Sequence, residues 1–406
     1  METQRERPLR VLAADDSAVM RGILRELFAT QDKSRLGELQ RMELCGLAED
    51  GVECLEAVKL LRPDVLVLDL EMPRMNGLEV LDRLRRENPD LPVIMCSSYT
   101  EHGARSTLEA LACGASDYVM KPSEQRDFTA ALVSLSEQLL PRIAALAKES
   151  RRREEGLGGM GQAREQRSRE AYVQAQSLVE VVVIGLSTGG PSALEQLLPQ
   201  LPADFAVPIL IVQHMPKVFT AALADRLDKC CSLHVEQAYD DAALRAGTVW
   251  LAPGGSHMEV VVRPLMIGEG ERGTVAREGK VRLHQEELLN HCRPSVDYLF
   301  HSAARMYGAG TLALVMTGMG ADGLSGARAV HERGGVVLAQ DAATSAVWGM
   351  PGRVTEAGIA SAILPLSAIA RVLQQRVNAG RPKSQEPARG VTATMISRRE
   401  VMHELL

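Results

Sequence analysis

The sequence is poor in aromatic residues and lacks the cysteine spacings of a disulfide or zinc scaffold. Phe, Trp and Tyr make up 3% of the 406 residues, so aliphatic side chains and methionine must fill the core. The seven cysteines are scattered, and no CxxC spacing occurs. These absences argue against a disulfide framework or a zinc ribbon. A reduced, cytoplasmic protein is therefore expected.

Long apolar runs and an excess of basic charge are also missing. No apolar run approaches the roughly 20 residues that a membrane span needs, and residues Met1 to Arg10 carry no apolar signal core. The net charge of -6 argues against a chain that mainly binds nucleic acid. We therefore expect neither membrane insertion nor a nucleic-acid partner.

What the chain has is an ordinary globular composition, 46% apolar and 24% charged, divided by one polar stretch. Residues Lys148 to Glu170 mix charges of both signs around several glycines, which favours a solvated linker over one long exposed helix. On both sides, short strand patterns alternate with amphipathic helical patterns. This alternation predicts two α/β domains with mostly parallel, doubly wound sheets.

The short apolar runs predict the positions of individual strands. Strands are predicted at Leu9–Ala14, Val65–Asp69, Val93–Ser97, Asp117–Met120, Val181–Ile184, Ile209–Gln213, Thr248–Leu251, Met258–Val262, Leu312–Thr317 and Val336–Ala339. Residues 256–285 predict a hairpin, because the segment Gly268 to Gly279 is rich in turn residues. A polar stretch from about Ala379 is expected to leave the core.

Acidic and hydroxyl side chains follow successive strands of the first half. Asp15 and Asp16 follow the first predicted strand, Asp69 ends another, Ser97 ends a third, and Lys121 follows the last. Ligands of parallel sheets bind beyond the carboxyl ends of the strands, so these groups should converge. Clustered carboxylates favour Mg²⁺, which usually also takes a phosphate oxygen. Asp69 could then accept a phosphoryl group as an acyl phosphate.

This constellation resembles the receiver domain of bacterial response regulators, a flavodoxin-like (βα)5 fold, over about residues 8–135. The resemblance implies that Asp69 is the phosphoacceptor and that Asp15, Asp16 and Asp69 hold Mg²⁺. It also implies Ser97, in preference to Ser98, as the switch hydroxyl, Lys121 as the receiver lysine, and a cis Lys121–Pro122 bond.

A glycine-rich turn in the second half presents a serine. Residues 185–190 read GLSTGG between a predicted strand and helix, which fits the G-x-S-x-G nucleophile pattern around Ser187. Such turns also bind phosphates, because a helix N-terminus offers free N–H groups. A nucleophilic serine needs a base and an orienting carboxylate. His214 and Asp322 each follow a predicted strand, while His257, His291 and His301 remain competitors for the base.

A nucleotide-binding alternative stays open on spacing alone. Residues 318–323 match G-x-G-x-x-G, and Asp341 lies 18 residues beyond Gly323, near the position of a ribose-binding acid. Asp322 would place a negative charge inside that phosphate-binding turn, which argues against it. A DNA-binding output and a catalytically dead scaffold are further alternatives. The long, glycine-rich second half argues against the first, and the intact set Ser187, His214 and Asp322 against the second.

Several long motifs in order resemble the chemotaxis protein-glutamate methylesterase family, over about residues 8–376. They are GLSTGG (185–190), QHMP (213–216), APGGSHME (252–259), RPSVDYLF (293–300), TGMGADG (317–323) and QDAATSAVWGMP (340–351). The resemblance implies a serine hydrolase in which Ser187 is the nucleophile, His214 the general base and acid, and Asp322 the orienting carboxylate.

The resemblance also implies further roles and partners. Backbone amides near Met319 and at Ser187 or Thr188 would form an oxyanion hole, and Arg293 would hold substrate carboxylates. The substrate would be glutamate methyl esters, and also glutamines, on methylated chemoreceptors, with a chemotaxis histidine kinase as phosphodonor and no cofactor in the catalytic domain. The expected division is a receiver at 8–135, a helix and polar linker at 136–177, a methylesterase domain at 178–376 and a polar tail at 377–406.

Overall fold

The computed structural model describes residues 7–30, 41–122, 127–154, 177–267 and 274–381. Its strands are β1 Leu9–Ala14, β2 Met42–Ala48, β3 Val65–Asp69, β4 Val93–Ser97, β5 Asp117–Met120, β6 Val181–Leu186, β7 Ile209–Gln213, β8 His234–Gln237, β9 Thr248–Leu251, β10 His257–Ile267, β11 Thr274–His284, β12 Thr311–Val315, β13 Val336–Gln340 and β14 Ala362–Leu364. Its helices are α1 Ala18–Ala29, α2 Gly51–Leu61, α3 Gly77–Glu87, α4 Glu101–Ala112, α5 Phe128–Glu154, α6 Gly190–Leu197, α7 Lys217–Cys230, α8 Val296–Tyr307, α9 Leu324–Glu332, α10 Met350–Glu356 and α11 Leu366–Asn378. The first part of the predicted linker, residues 148–154, is the end of helix α5, whereas residues 155–176 and the tail beyond residue 381 lie outside the described residues.

The first domain is a five-stranded parallel sheet in the order β2-β1-β3-β4-β5. The strands β3 and β4 are buried along their whole length, as strands covered on both faces by helices must be. The four predicted strands of this half are confirmed. The edge strand β2 went unpredicted because its mixed sequence MELCGLA is only partly buried and shows no continuous apolar run.

The second domain is a seven-stranded parallel sheet in the order β14-β13-β12-β6-β7-β9-β8. Two parallel α/β sheets confirm the predicted fold class. The two unpredicted strands, β8 and β14, are the edges of this sheet and have only four and three residues. The predicted hairpin is confirmed as β10 and β11, paired antiparallel from His257↔His284 to Ile267↔Thr274.

The two domains touch through side chains from α4 and β5 on one side and from α6 and α7 on the other. The rings of Tyr118 and Phe219 stack with centroids 4.7 Å apart and an interplanar angle of 11°. The Ser192 hydroxyl donates to the backbone carbonyl of Leu111 at 2.8 Å. The contact places Asp117, at the amino end of β5, beside the turn that follows β6.

Helix α5 joins the core of the first domain to the surface of the second. Leu135, Leu139 and Ile143 are buried against the receiver sheet, and Arg153 donates to the carbonyl of Ser345 at 2.6 Å. By length and composition the segment Phe128–Arg153 could cross a membrane. Polar and charged residues interrupt its apolar sequence, so it contains no continuous apolar run of the length considered in the sequence analysis.

Candidate functional site

The receiver pocket brings together the acidic groups that the sequence analysis singled out. Lys121 Nζ lies 2.9 Å from Asp15 Oδ2 and 2.7 Å from Asp69 Oδ2, so one ammonium bridges two buried carboxylates. Asp16 is exposed at the rim. The carboxyl ends of β1, β3 and β5 supply these groups, as the parallel sheet requires.

The electrostatics of this pocket favour a cation beside its carboxylates. Burial raises the pKa of Asp69 to about 6, the Asp15 carboxylate adds to that rise, and Lys121 opposes it. One oxygen from each of Asp15, Asp16 and Asp69 lies within 4.8 Å of the others. A set of three carboxylate oxygens fits Mg²⁺, which prefers hard oxygen ligands.

Ser97 lies beside this pocket and is already hydrogen-bonded. Thr107 Oγ1 donates to Ser97 Oγ at 2.7 Å, and Ser97 Oγ donates to the Gly103 carbonyl at 3.2 Å. Ser97 is buried, whereas Ser98 is exposed. The expectation of a cis Lys121–Pro122 bond is wrong. The cis bond within the described residues is Arg293–Pro294, and Lys121 reaches both carboxylates without one.

In the second domain Ser187 stands in the turn between β6 and α6. Its backbone N–H donates to the Thr317 carbonyl at 3.0 Å, which ties the turn to the one after β12. The two turns approach closely, because a Cβ on Gly318 would lie 2.9 Å from the Ser187 Cβ. Gly189 adopts a φ of 77°, the left-handed region that glycine tolerates, and allows the sharp entry into α6.

His214 and Asp322 pair directly at the same edge of the sheet. His214 Nε2 lies 2.8 Å from Asp322 Oδ2. The Ser295 hydroxyl and the Val296 amide also donate to the Asp322 carboxylate, each at 2.7 Å. Burial works against the charged form of both groups, but these hydrogen bonds lower the pKa of Asp322 and raise the pKa of His214. The carboxylate therefore stays ionised and orients the imidazole.

The proposed nucleophile is near this pair without being bonded to it. Within the described residues no hydrogen bond joins the Ser187 hydroxyl to His214, a contact that in many enzymes forms only with substrate bound. The neighbouring Thr188 is engaged by the receiver instead: its hydroxyl donates to Asp117 Oδ2 at 2.6 Å. The receiver thus holds the residue next to Ser187.

Among the described residues, two of the backbone amides near Ser187 that have no hydrogen-bond partner bear on the predicted oxyanion hole. These are the N–H groups of Thr188 and Met319, whereas the Ser187 N–H is used by Thr317. Free N–H donors beside a nucleophile are what an oxyanion hole needs. The Arg293 guanidinium donates to the backbone carbonyls of Gln285 and Glu286, at 3.2 and 3.0 Å, and lines the cavity in front of His214.

Two of the three competing histidines, His257 and His301, are hydrogen-bonded to residues outside the proposed catalytic set. His257 is fully buried and accepts from the Ser295 amide at 3.2 Å, while its other ring nitrogen lies 3.1 Å from the Glu287 carbonyl. His301 pairs with the Ser325 hydroxyl at 3.0 Å. His291 lines the same cavity as His214.

The nucleotide alternative finds no support in the geometry. Asp341 accepts from the backbone and hydroxyl of Thr344, at 2.9 and 2.6 Å, and so caps its own turn. The Asp322 carboxylate is occupied by donors of its own chain.

Two residues of the site escaped the sequence analysis. Asn290 Nδ2 donates to Asp297 Oδ2 and to Asp322 Oδ1, each at 2.9 Å, and so joins two buried carboxylates. Cys292 Sγ lies 3.7 Å from His214 Nδ1. The available signal was their position just before the motif at 293–300.

Fold and geometry together define a class: a receiver-type α/β domain joined to an α/β domain that carries a serine, histidine and aspartate cluster. Two family models match the chain, the response regulator receiver domain at residues 11–133 and the CheB methylesterase at residues 182–373. The chain belongs to the CheB methylesterase family, which confirms the resemblance seen in the sequence.

Full-length relatives support this membership. The protein-glutamate methylesterase/protein-glutamine glutaminase of Trichodesmium erythraeum is 40% identical, covering 91% of this chain and 99% of its own. The protein of the same name from a Nocardioides species is 41% identical, covering 92% and 97%. The crystal structure of the Thermotoga maritima CheB methylesterase catalytic domain is 39% identical with a TM-score of 0.44, covering 49% of this chain and 99% of that one.

Proposed function

We propose that this chain is a cytoplasmic response regulator that hydrolyses glutamate methyl esters on chemoreceptors to glutamate and methanol. The observation that carries the proposal is the 2.8 Å pair of His214 and Asp322 beside Ser187, at one edge of one sheet. Relatives that match nearly the whole chain bear the corresponding name. The same chemistry on a glutamine side chain would release ammonia, so receptor deamidation is a second proposed activity.

The proposed reaction uses only side chains and amides of this domain. Ser187 Oγ attacks the ester carbonyl while His214 Nδ1, the nitrogen that Asp322 leaves free, takes the hydroxyl proton. The Thr188 and Met319 amides would hold the oxyanion. The tetrahedral intermediate collapses, the C–O bond breaks, and methanol leaves with the proton from His214. Water then attacks the acyl-enzyme by the same route and releases glutamate and free Ser187.

Arg293 is proposed as a contact for acidic groups of the receptor helix. Its guanidinium lines the cavity in front of His214 and already accommodates two backbone oxygens. A cation there suits a substrate whose neighbouring glutamates are ionised. No nucleic acid or membrane insertion is part of this proposal.

The receiver domain is proposed to control the esterase by phosphorylation. A carboxylate oxygen of Asp69 attacks the phosphorus of a phosphodonor, such as the phosphohistidine of a chemotaxis kinase, and the donor nitrogen leaves. Asp15, Asp16 and Asp69 would hold Mg²⁺, which neutralises the negative charge of the incoming phosphoryl group. Lys121 would pair with the acyl phosphate, and Ser97 would respond as the switch hydroxyl.

The closed arrangement of the domains supports autoinhibition by the unphosphorylated receiver. Asp117 holds Thr188, and Tyr118 stacks on Phe219 beside the cavity that contains His214. Phosphorylation would favour an arrangement in which these contacts are lost.

The experiment is methanol release from receptor membranes methylated in advance, with and without a small phosphodonor plus Mg²⁺. The proposal expects release that rises with the phosphodonor, that Ser187→Ala removes, and that Asp69→Asn keeps at the basal rate. Constant release would retain the esterase and refute the switch. Full release by Ser187→Ala would refute the nucleophile, and no release by the folded wild-type chain would refute the activity.

A further inference from the structure

A cysteine that the proposed reaction does not use faces the active-site histidine. Cys292 is half-buried, and its Sγ lies 3.7 Å from His214 Nδ1. A tight turn fixes its position, because the backbone groups of Cys292 and Leu289 bond each other in both directions, at 2.9 and 3.2 Å. The thiol is therefore presented to the ring by a defined loop.

The hydrogen bond to Asp322 determines which ring nitrogen faces the thiol. Nε2 faces the Asp322 carboxylate, so Nδ1 is the nitrogen that faces Cys292, and in the neutral imidazole its lone pair points towards the thiol. Metal-binding histidines usually donate their other N–H to a carboxylate in this way, which fixes the tautomer and raises the basicity of the ligating nitrogen. Ser295 and Val296 hold Asp322 in turn.

The spacing of the two free ligand atoms suits zinc. Zn–S bonds of about 2.3 Å and Zn–N bonds of about 2.0–2.1 Å at a tetrahedral angle separate sulfur and nitrogen by about 3.5 Å. The observed separation is 3.7 Å. A thiol and an imidazole are ligand types that zinc binds in proteins.

There is also room for the rest of a coordination shell. His214 and Cys292 line a cavity of about 300 Å³ that is also lined by Tyr118 and Arg142 of the receiver. Waters in this cavity could complete a tetrahedral site.

We propose that His214 Nδ1 and Cys292 Sγ form an inhibitory binding site for a thiophilic divalent cation, with Zn²⁺ as the probe and Asp322 orienting the imidazole. Binding displaces the thiol proton to solvent and involves no change of oxidation state. The metal occupies His214 Nδ1, the nitrogen that would accept the Ser187 proton, so the metal-bound protein cannot hydrolyse the ester. The inhibition rests on the proposed function, whereas the binding does not.

The test is a Zn²⁺ titration of the full chain with Mg²⁺ in excess, followed both by calorimetry and by methanol release. Each variant's inhibition is expressed relative to its own rate without Zn²⁺. We expect Cys292→Ser to weaken both binding and inhibition at least tenfold. The matched control Cys230→Ser/Cys231→Ser removes two neighbouring thiols whose Sγ atoms lie 4.0 Å apart, and it should leave the inhibition midpoint within twofold of wild type.

A second measurement separates this proposal from the esterase itself. Ser187→Ala retains both ligands and should bind Zn²⁺ with the wild-type affinity. Near-ultraviolet absorption of the Co²⁺-loaded chain reports a thiolate ligand and should vanish in Cys292→Ser. If Zn²⁺ binding depends on Cys292 but the wild-type chain shows no esterase activity, the metal site stands and the proposed function is refuted. Zn²⁺ inhibition or Co²⁺–thiolate absorption that survives Cys292→Ser would overturn the site.

Discussion

The Thr188 hydroxyl donates a hydrogen bond to Asp117 across the domain boundary, with 2.6 Å between Oγ1 and Oδ2. Thr188 directly follows the proposed nucleophile, and Asp117 is the first residue of β5 in the receiver. Arg142 from α5 also donates to the same carboxylate oxygen, at 3.1 Å. One buried receiver carboxylate therefore connects α5 to the turn that carries Ser187.

Asp117→Ala should raise the basal esterase activity of the unphosphorylated chain. A hydrogen bond to a charged group contributes about 1.5–3 kcal/mol, so its loss should favour the open arrangement by up to roughly ten- to a hundredfold. Methanol release without phosphodonor measures the change. Asp82→Ala, at an exposed ion pair on α3, is the control. Equal basal rates for Asp117→Ala and wild type would show that this contact does not hold the domains closed.

Asn290→Ala should lower kcat while leaving KM nearly unchanged. The amide joins Asp297 to Asp322, and burial together with repulsion by Asp322 already raises the pKa of Asp297. Losing a hydrogen bond to a buried charge costs about 1.5–3 kcal/mol, or roughly ten- to a hundredfold in rate. Steady-state methanol release gives both constants, with Asn88→Ala on the exposed end of α3 as the control. A changed KM at constant kcat would place Asn290 in substrate binding instead.

His257 should make the stability of the catalytic domain depend on pH. Burial lowers its pKa, nearby His284 and Arg293 add to this, and the Glu287 carbonyl opposes it. Tyr298 and Asp322 are the other ionisable groups near the ring. The unfolded state then binds more protons as pH falls through about 6.5, so stability is present above that pH and lost below it.

His257→Gln should therefore show a smaller fall in Tm than wild type between about pH 7.5 and 5.5. Thermal unfolding followed by circular dichroism provides the measurement. His234→Gln, at an exposed histidine paired with Asp228, should keep the wild-type slope. Identical slopes for all three proteins would mean that His257 is not the group responsible.

Phe219→Ala should destabilise the chain by about 3–5 kcal/mol, because its fully buried ring packs in the core and stacks on Tyr118. Urea unfolding measures the loss. Phe128→Ala, at a half-exposed ring that begins α5, should cost much less. A loss below about 1 kcal/mol for Phe219→Ala would mean that the surrounding residues refill the site.

The sequence predicted the buried strands better than the edges and the loops. Strands such as Val65–Asp69 are recognisable because continuous apolar runs are what a sheet covered on both faces requires. The strand ends then predicted which site residues converge, as Asp15, Asp69 and Lys121 do. Edge strand β8 went unpredicted because its sequence HVEQ is polar and only partly buried, and edge strand β14 has only three residues.

Contacts between distant segments could not be predicted in the same way. Asn290 and Cys292 lie in a loop without regular structure, and Asn290 and His291 take positive φ values of 54° and 61° that no pattern indicated. The Asp117–Thr188 bond depends on how two separately folded sheets pack, which the periodicity of neither half encodes.

Because Lys121 bridges Asp15 and Asp69, the counter-ion of these two carboxylates in the unphosphorylated receiver is a covalently attached side chain. A tethered ammonium has a fixed local concentration, whereas a free divalent ion has the concentration of the surrounding solution. A dissolved cation such as Mg²⁺ must therefore compete with the Lys121 ammonium, whose local concentration does not change with the composition of the solution.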